Sequence, residues 1–253
     1  MANPISSSQS FITTLQGWFD FHGYGYLLIK GGILTLELGI LSLIAAVVLG
    51  LLSASARISD SPTLRTLSMI YTTITRSIPD LILLLLIYYG LQAVINVTAD
   101  KVLEWSAERI NVQFTLDPFL SGVLAIGLIF GAYMSETFRG AFQSVSAGQI
   151  EAAQAYGMSK WQVFSRMRLP LMMRHALPGI GNNWMVLSKT TALVSLISLH
   201  DIVFYADEAG KSLHAPFHFL LPVIIGYLII AALSELVMKR LERRYNIGFK
   251  DAL

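Results

Sequence analysis

Long apolar runs separated by polar segments dominate the chain, and their lengths are those of membrane spans. Residues 27–52 are apolar apart from Lys30 at the mouth, Glu37 inside and a few small or hydroxyl residues. At about 1.5 Å of rise per residue, such a run crosses a ~30 Å hydrocarbon core as a helix. Residues 54–66 are small and polar, with Arg57, Pro62 and Arg65, and predict a loop. The stretch from Thr72 to Asp80 is polar again, and Pro79 predicts a helix break before the apolar 81–97, the second span. Residues 98–118 carry Asp100, Lys101, Glu104, Glu108, Arg109 and Asp117 and predict an external loop, followed by a third span at 119–133. A polar block then runs over 138–177. The segment 179–199 is diluted by Asn182, Asn183, Ser188, Lys189, Thr190 and Thr191. Polar side chains can face a bundle interior, so a fourth span is expected there. Residues 200–216 predict a short loop, 217–238 a fifth span with Pro222 inside it, and 239–253 a basic tail. The pattern predicts an all-α integral membrane protein with one transmembrane domain over 27–238 and no internal repeat.

Inside the polar block, Gln149 to Tyr156 is rich in Ala and Gln and predicts a short helix. Gly157 ends it by tolerating left-handed backbone angles, and Ser159 can cap a second helix from Lys160. Trp161, Phe164 and Met167 fall three apart on one face, with Lys160, Arg166, Arg168 and Arg174 nearby. A helix-turn-helix pushed out of the membrane with an apolar knob is a docking element for another protein.

Composition narrows the class. The 253 residues are 54% hydrophobic and 13% charged, and the mean hydropathy of +0.60 is far above that of a soluble domain. No cysteine is present, which excludes disulfides and thiolate metal sites. A net charge of +2 is too small to call for a nucleic-acid partner. Residues 1–21 are polar and lack a basic start or cleavage pattern, so no removable signal peptide is expected. With the polar block placed inside, thirteen Lys and Arg flank the spans on the inner side, against Lys30, Lys101, Arg109 and Lys211 outside. Five spans then put residues 1–26 outside and 239–253 inside, and dropping the fourth span would leave the basic tail on the wrong side.

Few residues carry chemistry. Glu37, midway along the first span, costs roughly 2.5–3.5 kcal/mol to insert, so it faces a structural partner, water or a ligand. Lys189, with Thr190, Thr191, Asn182 and Asn183, forms the most polar patch in any span. It serves either interhelical hydrogen bonding or a substrate path, in which an ammonium suits a carboxylate. Arg76 to Asp80 and Glu136 to Gly140 read as interfacial anchors or gating segments. The histidines at 22, 175, 200, 214 and 218 show no metal-binding pattern, and no Gly-rich phosphate loop occurs. Catalytic, cofactor and metal residues are therefore expected to be absent, with energy supplied by a partner. An intramembrane enzyme using Glu37 or His200-Asp201 lacks clustered groups, and a stand-alone secondary transporter would need an internal repeat.

The order Glu151-Ala152-Ala153, three residues, Gly157, nine residues, Met167, one residue, Leu169-Pro170 resembles the EAA loop in permease subunits of bacterial ABC importers. Met167 stands where that pattern prefers Ile. The strings beginning at Arg76, Tyr133, Gly148, Ala176, Lys189 and Leu241 extend the resemblance over about 27–245 to the polar amino acid permeases. They resemble most the Q-type subunit of histidine and lysine/arginine/ornithine importers, with opine permeases nearby. The resemblance implies the type I ABC importer permease fold, five transmembrane helices with a cytoplasmic helix-turn-helix coupling loop, in a bacterial inner membrane. It implies a periplasmic N-terminus and a cytoplasmic C-terminus. The implied partners are a homologous permease subunit in a heterodimer, an ABC ATPase dimer that binds the ATP, and a periplasmic substrate-binding protein. The implied substrate is a polar, basic amino acid, with opines or glutamine-like amino acids as the alternative. Glu151, Ala152, Ala153, Gly157, Leu169 and Pro170 carry over as ATPase-coupling residues. Glu37 becomes the partner of a cationic side chain and Lys189 of the α-carboxylate, with Thr190 and Asn183 beside it. Some relatives place an acid directly after the lysine, where this chain has Thr190.

Overall fold

The computed structural model describes residues 21, 23–105 and 115–245. The expectations for residues 1–20, His22, Glu108, Arg109, the side chain of Glu104 and the end of the tail, Lys250 included, lie outside the described residues. The described elements are helical: α1 (Gly25–Ile58), α2 (Pro62–Ser77), α3 (Asp80–Trp105), α4 (Pro118–Gln143), α5 (Ala147–Ala155) and the single turn α6 (Lys160–Gln162). A wide π turn (Val163–Arg168) leads into α7 (Leu169–Thr190), a 3-10 segment (Thr191–Ile197), α8 (Ile202–Ser212) and α9 (Pro216–Tyr245). Helices α1, α3, α4 and α9 are each long and apolar enough to cross a membrane. The run Lys160–Ile197, bent by 54° against α8, makes five when the bent pair is taken as one span.

The core is built on close packing of α1 against α4, and small residues permit it. The buried face of α1 includes Gly31, Thr35, Gly39, Ser42, Ala46, Gly50 and Ser53, spaced three or four apart. The facing side of α4 includes Gly122, Gly127, Gly131 and Ser135. Added Cβ atoms at Gly50 and Gly127 would stand 2.5 Å from Met134 Cβ and 2.7 Å from Ala45 Cβ, so only glycine fits. Without a hydrophobic drive between helices in lipid, such backbone approach and its dispersion contacts hold the pair together. At the level of Gly50, Ser53 and Ser68 share a 2.7 Å hydrogen bond and Ser135 Oγ donates to Ser53 Oγ at 2.8 Å, tying α2 to both.

Contacts fix the direction of each pass. Leu38 meets Gly122, Ala45 meets Gly127 and Leu49 meets Gly131, so α1 and α4 run parallel. Phe142 meets Arg168, Thr137 meets Gly179 and Gly122 meets Val194, so α7 runs against α4. Trp184 Nε1 donates to Ser234 Oγ at 2.6 Å and Gly181 meets Met238, so α9 runs against α7. At the start of α3 Asp80 meets Tyr133, and midway along it Gln92 Oε1 accepts from the Leu116 amide, which sets α3 against α4. Five passes therefore alternate, with Gly25, Pro118 and Pro216 at one end of the bundle and Ile58, Gln143 and Tyr245 at the other.

Four sequence expectations are corrected. The predicted loop 54–66 is mostly helix, because α1 continues to Ile58 and α2 starts at Pro62. Pro62 occupies the first helical turn, where its missing N–H is no loss. The expected external loop 98–118 is helical as far as Trp105, the polar residues continuing α3. The expected loop 200–216 holds α8, which Asp201 caps by accepting from the Phe204 amide at 2.8 Å. The helix that carries the fourth span starts well before 179, since the helical run reaches back to Lys160 and Leu169-Pro170 already belong to α7. The break near Pro79 stands as expected: Ile78 is extended, at φ −97° and ψ 136°, as the residue before a proline must be.

Candidate functional site: a protruding helix-turn-helix and a cavity at the opposite end

The polar block projects from the end of the bundle that holds Ile58 and Gln143. Helix α5 stops at Ala155, and Gly157 takes a left-handed φ of +77° with nothing near the position of a Cβ. Ser159 then starts the next helix with a reciprocal cap: its hydroxyl accepts from the Gln162 amide at 3.3 Å, and Gln162 Oε1 accepts from the Ser159 amide at 2.9 Å. Leu169 N–H reaches back to Phe164 across the π turn. Pro170 explains that widening, because it has no N–H for the Arg166 carbonyl and its ring crowds that carbonyl.

On this protrusion Ala153 is buried against the turn while Glu151, Ala152 and Gly157 are exposed. Tyr156 is 91% exposed and Trp161 72%, the latter stacked on Phe164 at 5.8 Å between ring centres. Large aromatic surface held on a preorganised turn is the composition of a protein-docking knob. Leu169 and Pro170 are exposed at the base. Arg168 lies over the Phe142 ring at 5.3 Å and fixes that base to the end of α4. Just above, Glu136 joins three elements: Arg139 binds it at 2.7 Å, Arg57 from α1 at 3.4 Å, and Arg57 also donates to Thr72 of α2 at 2.9 Å. The sequence placed Arg57 in a loop and so did not show this link.

The other end holds a cavity of about 600 Å³ between α1 and the 3-10/α8 corner. Its walls include Tyr26, Lys30, Ile33, Glu37, Ser198, His200 and Tyr205. Glu37 sits on an outward stripe of α1 with Ile29, Ile33, Ile40 and Ile44, and no ion-pair partner for it occurs among the described residues. Lys189 instead lines a separate cavity of about 350 Å³ with Ser188 and Tyr227, between α7 and α9. Asn183 donates to Thr137 Oγ1 at 3.0 Å and to Met134 sulfur at 3.5 Å, joining α7 to α4. Thr190 is buried, and its hydroxyl donates to the Val186 carbonyl at 3.1 Å within its own helix. The four residues named together from the sequence are thus not brought to one place.

Asp201 is the residue whose weight the sequence hid. It is fully buried, one carboxylate oxygen caps α8, and the other has no hydrogen-bond partner. The Ile202 amide donates to Thr35 Oγ1 at 3.4 Å, so α8 hangs on α1 two residues before Glu37. The paired signal, Asp following Leu-His at the end of an apolar run, is that of a helix cap. His200 stacks on Phe204 at 4.3 Å, and among the described residues no group of three or more side chains fit to hold a metal ion occurs.

Known proteins match this architecture over nearly its whole length. The chain is 45% identical over 231 residues to the histidine/lysine/arginine/ornithine transport system permease protein HisQ of Salmonella typhimurium, covering 91% of this chain and 98% of that one. It is 40% identical over 178 residues to the arginine ABC transporter permease protein ArtQ of Escherichia coli, covering 68% and 75%. The crystal structure of an amino acid ABC transporter with histidines superposes with a TM-score of 0.70 at 25% identity, over 96% of this chain and all of the other. Residues 46–247 match the family described as binding-protein-dependent transport system inner membrane component, and the chain belongs to that family.

Proposed function

We propose that this chain is the permease subunit of an ATP-driven importer for basic amino acids, working beside a homologous permease subunit in a heterodimer. The observation that carries this is the protruding turn around Gly157, with Tyr156 and Trp161 presented at the bundle end opposite the Glu37 cavity. Substrate contact and energy input then occupy opposite ends of one helical frame, joined by α7 and α4. The names of the HisQ and ArtQ relatives support histidine, lysine, arginine or ornithine as the cargo.

In this reading Glu151, Ala152, Ala153, Gly157, Leu169 and Pro170 form the surface that an ABC ATPase dimer engages. ATP is bound and hydrolysed by those ATPase subunits, and this chain holds no cofactor. A periplasmic binding protein delivers the amino acid to the end that holds Gly25 and Pro118. The basic residues around the protrusion support a cytoplasmic position for that end, and with it a periplasmic N-terminus and a cytoplasmic C-terminus in a bacterial inner membrane. Closure of the ATPase dimer shifts the frame between two states open to opposite sides.

Glu37 is the proposed partner of the cationic side chain. A carboxylate on an otherwise apolar, exposed stripe carries an insertion cost that a cationic ligand offsets. Asn183 and Thr190 serve helix packing, and Lys189, at its separate cavity, meets the carboxylate later along the path. The test is ATPase activity of the reconstituted complex with binding protein loaded in turn with histidine, arginine, lysine, ornithine, glutamine or an opine. Stimulation by a basic amino acid is the expected result. Stimulation by glutamine or an opine alone would move the assignment to those ligands, and no assembly with an ATPase would overturn it.

A further inference from the structure

The geometry points to Lys30, and not Lys189, as the first anchor of the substrate's α-carboxylate, making α1 a ruler that selects long cationic amino acids. This deepens the reading of the Glu37 cavity as the substrate site and rests on it. Lys30 and Glu37 line the same cavity of about 600 Å³. They are seven residues apart, which on an α-helix is two turns on one face and about 10 Å of rise. Between them the same face presents Ile33 and Leu34.

The lining thus reads, from the mouth inward, ammonium, apolar surface, carboxylate. The complementary ligand reads anion, methylene chain, cation. An extended amino acid with a side chain as long as that of lysine or arginine meets both charges through charge-assisted hydrogen bonds of about 2.8 Å. A short or neutral side chain leaves the Glu37 carboxylate of this cavity without a counter-charge, and a site built around a polar partner selects against ligands that lack it. Neither Lys30 nor Glu37 has an ion-pair partner among the described residues, so neither charge is spent inside the fold. Ser198 and His200 form the opposite wall and leave donors and acceptors for the α-amino group. Ser198 is held in a left-handed conformation at φ 64°, which keeps that wall turned toward α1.

The experiment measures binding of radiolabelled arginine to the permease–ATPase complex in lipid nanodiscs without binding protein, with competition by agmatine, which is arginine without its carboxylate. The wild-type complex is expected to prefer arginine over agmatine by about tenfold or more, the range of one charged hydrogen bond. Lys30→Met should collapse that preference toward one, and Lys30→Arg should restore it. Glu37→Gln should weaken arginine and agmatine alike. A preference unchanged by Lys30→Met, or absent in the wild type, while Glu37→Gln still weakens both ligands, overturns Lys30 as the anchor and leaves the cavity reading standing. Arginine binding that neither substitution alters, or no arginine binding at all, overturns the cavity reading itself.

Discussion

Gly31 lies directly against the backbone of Asp201: a Cβ on residue 31 would stand 2.7 Å from both the carbonyl carbon and the carbonyl oxygen of Asp201. The contact is main chain on both sides, so no side chain can swing away to make room. It joins the outer end of α1 to the corner between the 3-10 segment and α8, and that corner carries Ser198 and His200 of the Glu37 cavity.

Gly31→Ala is therefore expected to destabilise the protein by about 1–3 kcal/mol, the range for an overpacked site. The neighbouring Gly32→Ala is the matched control, since its nearest contact would be the flexible end of Ile202 at 3.5 Å. Thermal unfolding of the two variants in detergent checks this. A Tm for Gly31→Ala no lower than for Gly32→Ala would show that the α1–α8 contact is looser than this packing implies.

Asp201 supplies a second handle on the same corner. Its capping oxygen accepts from the Phe204 amide, and Asn offers an oxygen in the same position whereas Ala does not. Asp201→Ala should lower stability by about 1 kcal/mol, the usual loss of a cap. Asp201→Asn should stay close to the wild type, because it keeps the cap and removes a carboxylate that has an unpartnered buried oxygen. Equal losses for both substitutions would mean that the charge, and not the cap, holds α8.

Gly157 separates backbone strain from contact. At φ +77° with open space around the missing Cβ, Gly157→Ala clashes with nothing and pays only for a left-handed backbone, about 1–2 kcal/mol. Gly157→Pro is incompatible with that φ. Both proteins should reach the membrane in normal amounts. Uptake in cells should fall partly for Ala and be lost for Pro, and normal uptake with Pro would remove the turn from the coupling role.

Much of this was legible in the sequence because membrane helices announce themselves by run length, and because turn chemistry is local. The helix end at Gly157, the Ser159 cap and the break before Pro79 each follow from one residue's backbone preference. What stayed hidden depends on which faces meet. The glycines and serines of α1 fall at helical spacing, yet an apolar average passes over them, and only packing against α4 gives them meaning. Polarity in the fourth span looked like one patch, whereas Asn183 and Lys189, six residues apart, face different neighbours, α4 and the cavity beside α9. Helix α8 was missed because its short, half-polar sequence resembles a loop until Asp201 is seen capping it.

The Glu136 link between α1, α2 and α4 yields the last prediction. Its groups are about one-fifth exposed or somewhat more, so each ion pair contributes little to stability in itself, at most about 1 kcal/mol after screening. Glu136→Gln keeps the shape and one acceptor, and its Tm should fall only slightly. The consequence for coupling is larger. Arg57 and Thr72 hold α1 and α2 to α4 where Arg168 fixes the base of the protrusion to Phe142, so a push on the protrusion meets α1 at this junction. Glu136→Gln should therefore leave basal ATPase activity of the reconstituted complex intact while reducing its stimulation by loaded binding protein severalfold. Added salt should mimic the substitution in the wild type and change the variant less, because the pairs are partly open to solvent. Undiminished stimulation in the variant would make the cluster an anchor at the membrane surface, and the route of coupling would then run through Asn183 and Thr137, where α7 meets α4 deeper in the bundle.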